Sequence, residues 1–319
     1  TVTTPAGITG ASNQVTAQTS ISQTLNNTTS SSINVVYTVT ASFGTAPTVC
    51  TDTFIITVTV NPNPSIANKT QTICSGTTFT VTPSNTAPDV VPTGTTYTWS
   101  VAAPAGITGA SNQATAQTSI SQTLTNTTST SLSAVYTVTA TFGTAPNSCS
   151  SSFNITVTVI PNPNITDVTQ TICSTGTFTV TPTNTAPDVV PTGTTYTWTV
   201  IAPAGITGAS NQATAQTSIS QTLTNTTSAA ISAVYTVTAF SGVVPNVCTN
   251  TFIVTVTVNP NPVIANKTQT ICSTGTFTVT PTNTAPDVVP TGTTYTWTVT
   301  AGAGITGASN QATAQTSIS

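Results

Sequence analysis

Phe153-Asn154-Ile155-Thr156-Val157-Thr158-Val159 carries a large apolar side chain at every second position and a polar one, mostly threonine, in between. Alternation of period two belongs to an extended strand, whose successive side chains point to opposite faces, so this stretch reads as a strand with one buried and one wet face. Threonine suits the wet face because it is both β-branched and polar. The same pattern recurs upstream in Phe79-Thr80-Val81, Tyr97-Thr98-Trp99-Ser100-Val101 and Tyr136-Thr137-Val138-Thr139-Ala140. Between these runs the chain is rich in Pro and Gly and no segment has a 3.6-residue apolar period, so helix is not expected.

The rarest residue exposes a repeat. Trp99, Trp198 and Trp297 stand at a constant interval of 99 residues, and two cysteine series, Cys50/Cys149/Cys248 and Cys74/Cys173/Cys272, keep the same interval. Solenoid units run from about 20 to 50 residues, so each repeat is a whole domain with its own small core. Asn61-Pro62-Asn63-Pro64, Pro161-Asn162-Pro163 and Asn259-Pro260-Asn261-Pro262 mark the linkers, since paired prolines fix φ and remove ladder donors. The expected segments are a C-terminal part of one domain (1–61), two complete domains (64–161 and 163–260) and the front of a fourth (262–319). Thr1 aligns with Ser100, inside an expected strand, so the sequence is expected to be a stretch of a longer array.

In the first complete repeat the alternation and turn residues predict seven strands, at about 65–73, 77–82, 95–102, 107–117, 119–125, 132–142 and 151–160. Seven short strands in about 100 residues, with a Trp on the third and a Tyr opening the sixth, fit an immunoglobulin-like β-sandwich. The fold class is therefore all-β, a tandem of seven-stranded immunoglobulin-like sandwiches, with Trp99, Trp198, Trp297, Tyr136 and Tyr235 as core anchors. Two departures stand out: the cysteines do not fall mid-strand on the second and sixth strands, and no acidic turn precedes the tyrosine of the sixth.

Composition excludes whole classes of function. Charged residues make up 2% of the chain, with two Lys or Arg, five Asp or Glu and no His, against roughly 25% charged in ordinary domains. A net charge of −3 attracts neither nucleic acid nor an anionic membrane, and no apolar run approaches the ~20 residues of a membrane span. Without His or Glu there is no set of general bases, and Ser or Thr alone makes no nucleophile, so no catalytic residue and no cofactor are expected. One Asp per repeat (Asp89, Asp188, Asp287) is far short of a calcium shell and reads as a turn cap. Lys69 and Lys267 correspond, but Val168 stands between them, so they read as exposed strand residues. Sequons at Asn27, Asn68, Asn126, Asn154, Asn164, Asn225 and Asn266 are what a Thr-rich chain produces by chance.

Gln71-Thr72-Ile73-Cys74-Ser75-Gly76, Thr95-Thr96-Tyr97-Thr98-Trp99, Gln122-Thr123-Leu124-Thr125-Asn126-Thr127-Thr128 and Val135-Tyr136-Thr137-Val138-Thr139, followed by Cys149 ahead of a Thr-Val-Thr-Val strand, resemble the PKD-like repeats of Bacteroidetes surface proteins. The resemblance extends over every repeat. It implies a segment of a giant flavobacterial adhesin, with gliding motility and export by the type IX secretion system as context.

Two cysteines per repeat outside the cytosol point to disulfides, and the absence of His with few carboxylates removes a zinc reading. In a seven-stranded sandwich the first turn, holding Cys74, and the last, holding Cys149, lie at opposite ends. If the first strand runs its full length, roughly 25–30 Å separates them, and Cys74–Cys248 becomes an inter-domain clamp. If residues 64–73 are a loop, Cys74–Cys149 and Cys173–Cys248 are intra-domain bridges. Both alternatives stand on the sequence alone.

The expected function is mechanical: a structural stalk of a secreted, cell-surface adhesin outside the bacterial outer membrane. Its partners are the neighbouring repeats, with surface proteins or polysaccharide reached through regions outside this stretch. The rival is a multivalent glycan-binding array, which requires aromatic side chains exposed on one face. Phe142 and Phe240 are the candidates for that role. A third reading, a filament of laterally associated chains, is permitted by the uncharged Thr faces.

Overall fold

The structure is a computed structural model that describes all of residues 1–319. Every regular element in it is a β-strand. The chain divides into two compact units, Thr1–Pro161 and Asn162–Ser319.

The first unit opens with β1 (Val2–Thr3), β2 (Ile8–Thr9), β3 (Asn26–Asn27), β4 (Ile33–Phe43) and β5 (Cys50–Val60). A complete sandwich follows, made of β6 (Lys69–Cys74), β7 (Thr77–Val81), β8 (Thr96–Ala102), β9 (Ile107–Thr108), β10 (Gln113–Gln117), β11 (Ile120–Asn126), β12 (Leu132–Phe142) and β13 (Cys149–Ile160). Its two sheets have the orders β10-β8-β12-β13-β6 and β7-β11-β9. All pairs are antiparallel except β6 with β13, where Lys69 faces Ile155 and Cys74 faces Ile160.

Two expected strands differ from what forms. The first begins at Lys69 rather than at 65, because Ser65 is held instead by a bridge to Val90 and Asp89 accepts the Ala67 N–H at 2.9 Å. The fourth, expected as one strand over 107–117, splits into β9 on one sheet and β10 on the other. Gly109 makes the break: its φ is +87°, and an added Cβ would lie 2.1 Å from the Thr123 carbonyl oxygen. The chain therefore bends out of one sheet and rejoins the other beside Trp99.

The inward positions of both sheets meet in one core. Phe79, Tyr97, Trp99, Ile120, Leu124, Tyr136, Val138, Ile155, Val157 and Val159 are buried together. Phe79 packs on Tyr136 with ring centroids 5.0 Å apart, and Tyr97 meets Phe153 edge-on at 6.4 Å. Outward, cross-strand hydroxyls bond to one another, as in Thr78 with Thr123 at 2.6 Å and Thr80 with Ser121 at 2.9 Å.

The second unit repeats the design in β14 (Val168–Cys173), β15 (Gly176–Val180), β16 (Thr195–Ile201), β17 (Ile206–Thr207), β18 (Gln212–Gln216), β19 (Ile219–Asn225), β20 (Ile231–Val243) and β21 (Asn246–Asn259). Phe178, Trp198, Leu223 and Tyr235 occupy its core. Beyond it lie β22 (Tyr295–Trp297) and β23 (Gln311–Gln315), which pair only with each other. Trp297, expected as a core anchor, is half-buried there, since no partner strand of the sixth-strand type covers it.

Candidate functional site

Two polar residues occupy core positions of β11, where Ile120, Gln122, Leu124 and Asn126 share the inward face. Gln122 clasps the two sheets together. Tyr136 Oη, on β12 in the opposite sheet, donates to Gln122 Oε1 at 2.8 Å, and Gln122 Nε2 donates to the Ser111 carbonyl at 2.7 Å. Trp99 Nε1 donates to that same carbonyl at 3.1 Å. Tyr235–Gln221 at 2.9 Å, Trp198–Ser210 at 3.2 Å and Tyr37–Gln23 at 2.8 Å are the counterparts. This clasp stands in for the missing acidic turn. Burial pushes the phenols of Tyr136 and Tyr235 up to about 12.

Asn126 ties the loop after β11 to the end of β13. Its Nδ2 donates to the carbonyls of Thr130 (2.8 Å) and Val159 (2.9 Å), and Oδ1 accepts from Thr128 N–H (2.9 Å) and Oγ1 (2.8 Å). Asn225 and Asn27 are buried in equivalent networks. Three of the sequon asparagines are thus committed structural side chains.

Lys69 and Lys267 are not plain exposed strand residues. Lys69 Nζ donates to Asp89 Oδ2 at 2.5 Å, and Lys267 pairs with Asp287 in the same way. Burial works against the Asp89 charge, but the Lys69 hydrogen bond, the Ala67 N–H and the lysine's charge outweigh it and hold the carboxyl below its ordinary value. In the intervening repeat Val168 replaces the lysine, and Asp188 keeps only the backbone bond, from Thr166 N–H at 2.9 Å. Asp188 is correspondingly half-buried where Asp89 is buried, as an unpaired carboxylate must retain water. Asp167 takes the place of Asn68, accepting from Ile253 N–H at 2.7 Å as Asn68 accepts from Asn154 N–H at 2.8 Å.

Side chains also join one repeat to the next inside each unit. Within Thr1–Pro161, Asn85 Nδ2 donates to Ser30 Oγ at 2.8 Å and Asn61 Nδ2 donates to the Asn147 carbonyl at 3.1 Å. Pro62 and Pro64 are buried at this joint. Within Asn162–Ser319, Asn283 Nδ2 donates to Ser228 Oγ at 2.7 Å, the same pair of positions. Asn85 and Asn283 are pre-set for this by accepting, through Oδ1, from Val91 N–H (3.0 Å) and Val289 N–H (3.1 Å).

Cys74 ends β6 and lies opposite Ile160, whereas Cys149 begins β13. The cysteines of one repeat therefore stand at opposite ends of a 12-residue strand. At about 3.3 Å per residue the separation is roughly 35 Å, several times the reach of a disulfide. Intra-repeat pairing fails on this geometry, and the cause is the parallel β6. Cys74 and Cys248 are in the disulfide state, while Cys50, Cys149, Cys173 and Cys272 carry free thiols.

Trp99, Trp198, Tyr136 and Tyr235 are buried, and Phe142 and Phe240 are half-buried, so residues 64–260 expose no large aromatic side chain. A shallow depression of about 230 Å³ touches Trp198 and is otherwise lined by Gln and Ser, smaller than the usual small-molecule site of about 300–1,000 Å³. No group of three His, Cys, Asp or Glu side chains comes together. No helix is long and apolar enough to cross a membrane.

Comparison with known proteins gives the family. A PKD-like domain model matches residues 1–64, 71–163 and 170–262. Among curated proteins none matches. Similar solved structures include a three-domain immunoglobulin fragment from the I-band of titin, 11% identical with a TM-score of 0.30, where 64% of this chain covers 66% of that one. Another is a SusE-like, surface-located polysaccharide-binding protein from Bacteroides thetaiotaomicron, 10% identical with a TM-score of 0.25, covering 64% of this chain and 35% of that one. The first four extracellular cadherin domains of a protocadherin overlap at 8% identity and a TM-score of 0.23, covering 66% and 55%. Likeness at this level decides nothing about function. With the family model recurring in three successive copies over well over half of its length, the chain belongs to the PKD-like domain family.

Proposed function

We propose that this chain is a stalk segment of a long extracellular surface protein, one that holds an adhesive region away from the cell. The observation that carries the reading is the recurrence of one joint contact, Asn85 with Ser30 and Asn283 with Ser228. A repeat seated on its neighbour by side chains transmits position along an array, whereas beads on free linkers would not. PKD-like domains are typical of extracellular proteins, and the hydroxyl-rich, nearly uncharged surface needs no particular ionic milieu. No catalytic role belongs to this reading, because the chain has neither His nor Glu to serve as a base. Gliding motility and type IX export are the biological setting in which to test it.

Removing whole 99-residue repeats from the full-length protein is expected to reduce adhesion in step with the number removed while surface display persists. The purified 319-residue chain is expected to bind nothing on a glycan array. Saturable binding of this chain to a polysaccharide would overturn the stalk reading and make the repeats binding modules.

A further inference from the structure

Cys74 faces Ile160, and Cys173 holds the same register against Asn259. The following residues confirm the placement, for Ser75 N–H donates to the Ile160 carbonyl and Ser174 N–H to that of Asn259, at 2.8 and 2.7 Å. A first-series cysteine thus flanks the last position of its own repeat's final strand. Asn61 is that same position one period earlier. Against it lies a cysteine of the second series: Cys149 Sγ donates to the Asn61 carbonyl at 3.9 Å, in a cleft also lined by Val58, Val60 and Asn147. The first cysteine of a repeat and the second cysteine of the next therefore border one residue. Adjacent strands stand about 4.8 Å apart, within the about 4.4–6.8 Å between Cα atoms that a disulfide spans.

We propose that the second cysteine of each repeat is bridged to the first cysteine of the repeat before it, and in this sequence the pair that obeys the rule is Cys74–Cys248. The rule explains which cysteines are oxidised. Cys149 and Cys50 would need first-series partners ahead of Thr1, and Cys173 and Cys272 second-series partners after Ser319, which leaves those four as thiols. Burial sorts the same way: Cys248 is 2% exposed and Cys149 half-buried, and Cys74 is half-buried where Cys173 is exposed. Each bridge forms as two Sγ–H groups give up two protons and two electrons to a disulfide-bearing oxidant, which is reduced to two thiols.

The consequence is a covalent path independent of the backbone. The bridge encloses the Pro161-Asn162-Pro163 linker, and Cys173 falls inside the loop that Cys74–Cys248 closes, so successive loops of an array overlap. A cut in any enclosed linker leaves both sides joined. This proposal rests on the cysteine registers and stands whether or not the array is a stalk.

The test inserts a protease site between Pro161 and Asn162 of the whole chain. After cleavage, one species is expected without reductant and two with it; C248S should separate without reductant, and C149S should not. Peptide mapping of the uncut, air-oxidised chain should give a Cys74–Cys248 peptide and four alkylated cysteines, and circular dichroism of C248S checks that it remains folded. Separation of the unreduced parent halves, or a Cys74–Cys149 or Cys173–Cys248 peptide, would overturn the rule.

Discussion

An asparagine side chain brings two donors and an acceptor oxygen into a core, and its burial is costly unless all are filled. Asn126 fills them with the carbonyls of Thr130 and Val159 and both donors of Thr128. Asn126→Ala leaves the buried Val159 carbonyl without that partner, and a loss of about 2–3 kcal/mol is expected in the urea transition of the repeat that carries it. The lysine pair gives a pH signature with a definite sign. Because the folded-state value of Asp89 is lowered, its contribution is fully present above the ordinary value of 3.8 and is lost as pH falls through the lowered one. Lys69→Val copies the repeat that has Val168. We expect it to cost on the order of 1 kcal/mol at neutral pH, with the variant and parent melting curves converging at acid pH.

At the scale of elements, the alternation identifies strands but not where one ends inside a run. Residues 107–117 alternate well enough to read as one strand, yet the positive φ of Gly109 redirects the chain between sheets. Gly109 and Gly94 make a controlled pair. Both have positive φ, but a Cβ on Gly109 meets the Thr123 carbonyl whereas one on Gly94 meets nothing within 4 Å. Backbone strain of roughly 1–3 kcal/mol applies to either alanine variant, and the backbone clash is added only at Gly109. Gly109→Ala should therefore lower the melting temperature clearly more than Gly94→Ala; equal effects would show that the approach of strand to turn is not what fixes this glycine.

For the molecule as a whole, outward hydroxyl pairs such as Thr78–Thr123 and Ser133–Thr158 do the work that ion pairs do elsewhere. Only two salt bridges, Lys69–Asp89 and Lys267–Asp287, are screened by added salt. The melting temperature should consequently be nearly flat between low and moderate sodium chloride, and a steep dependence would contradict the hydroxyl account. The repeat length, the strand positions and the buried faces were determined by the sequence alone, because alternation and the recurrence of Trp and Cys are local or periodic properties that need no partner to be read. Even Gln122 and Asn126 were legible as polar residues on an inward face, although what filled their hydrogen bonds was not. The lysine pairing, the clasp through Ser111, the parallel seating of β6 on β13 and the resulting separation of Cys74 from Cys149 came only from the tertiary structure. Alternation says which side of a strand is buried, but it carries no information about which strand lies beside it or in which direction that neighbour runs.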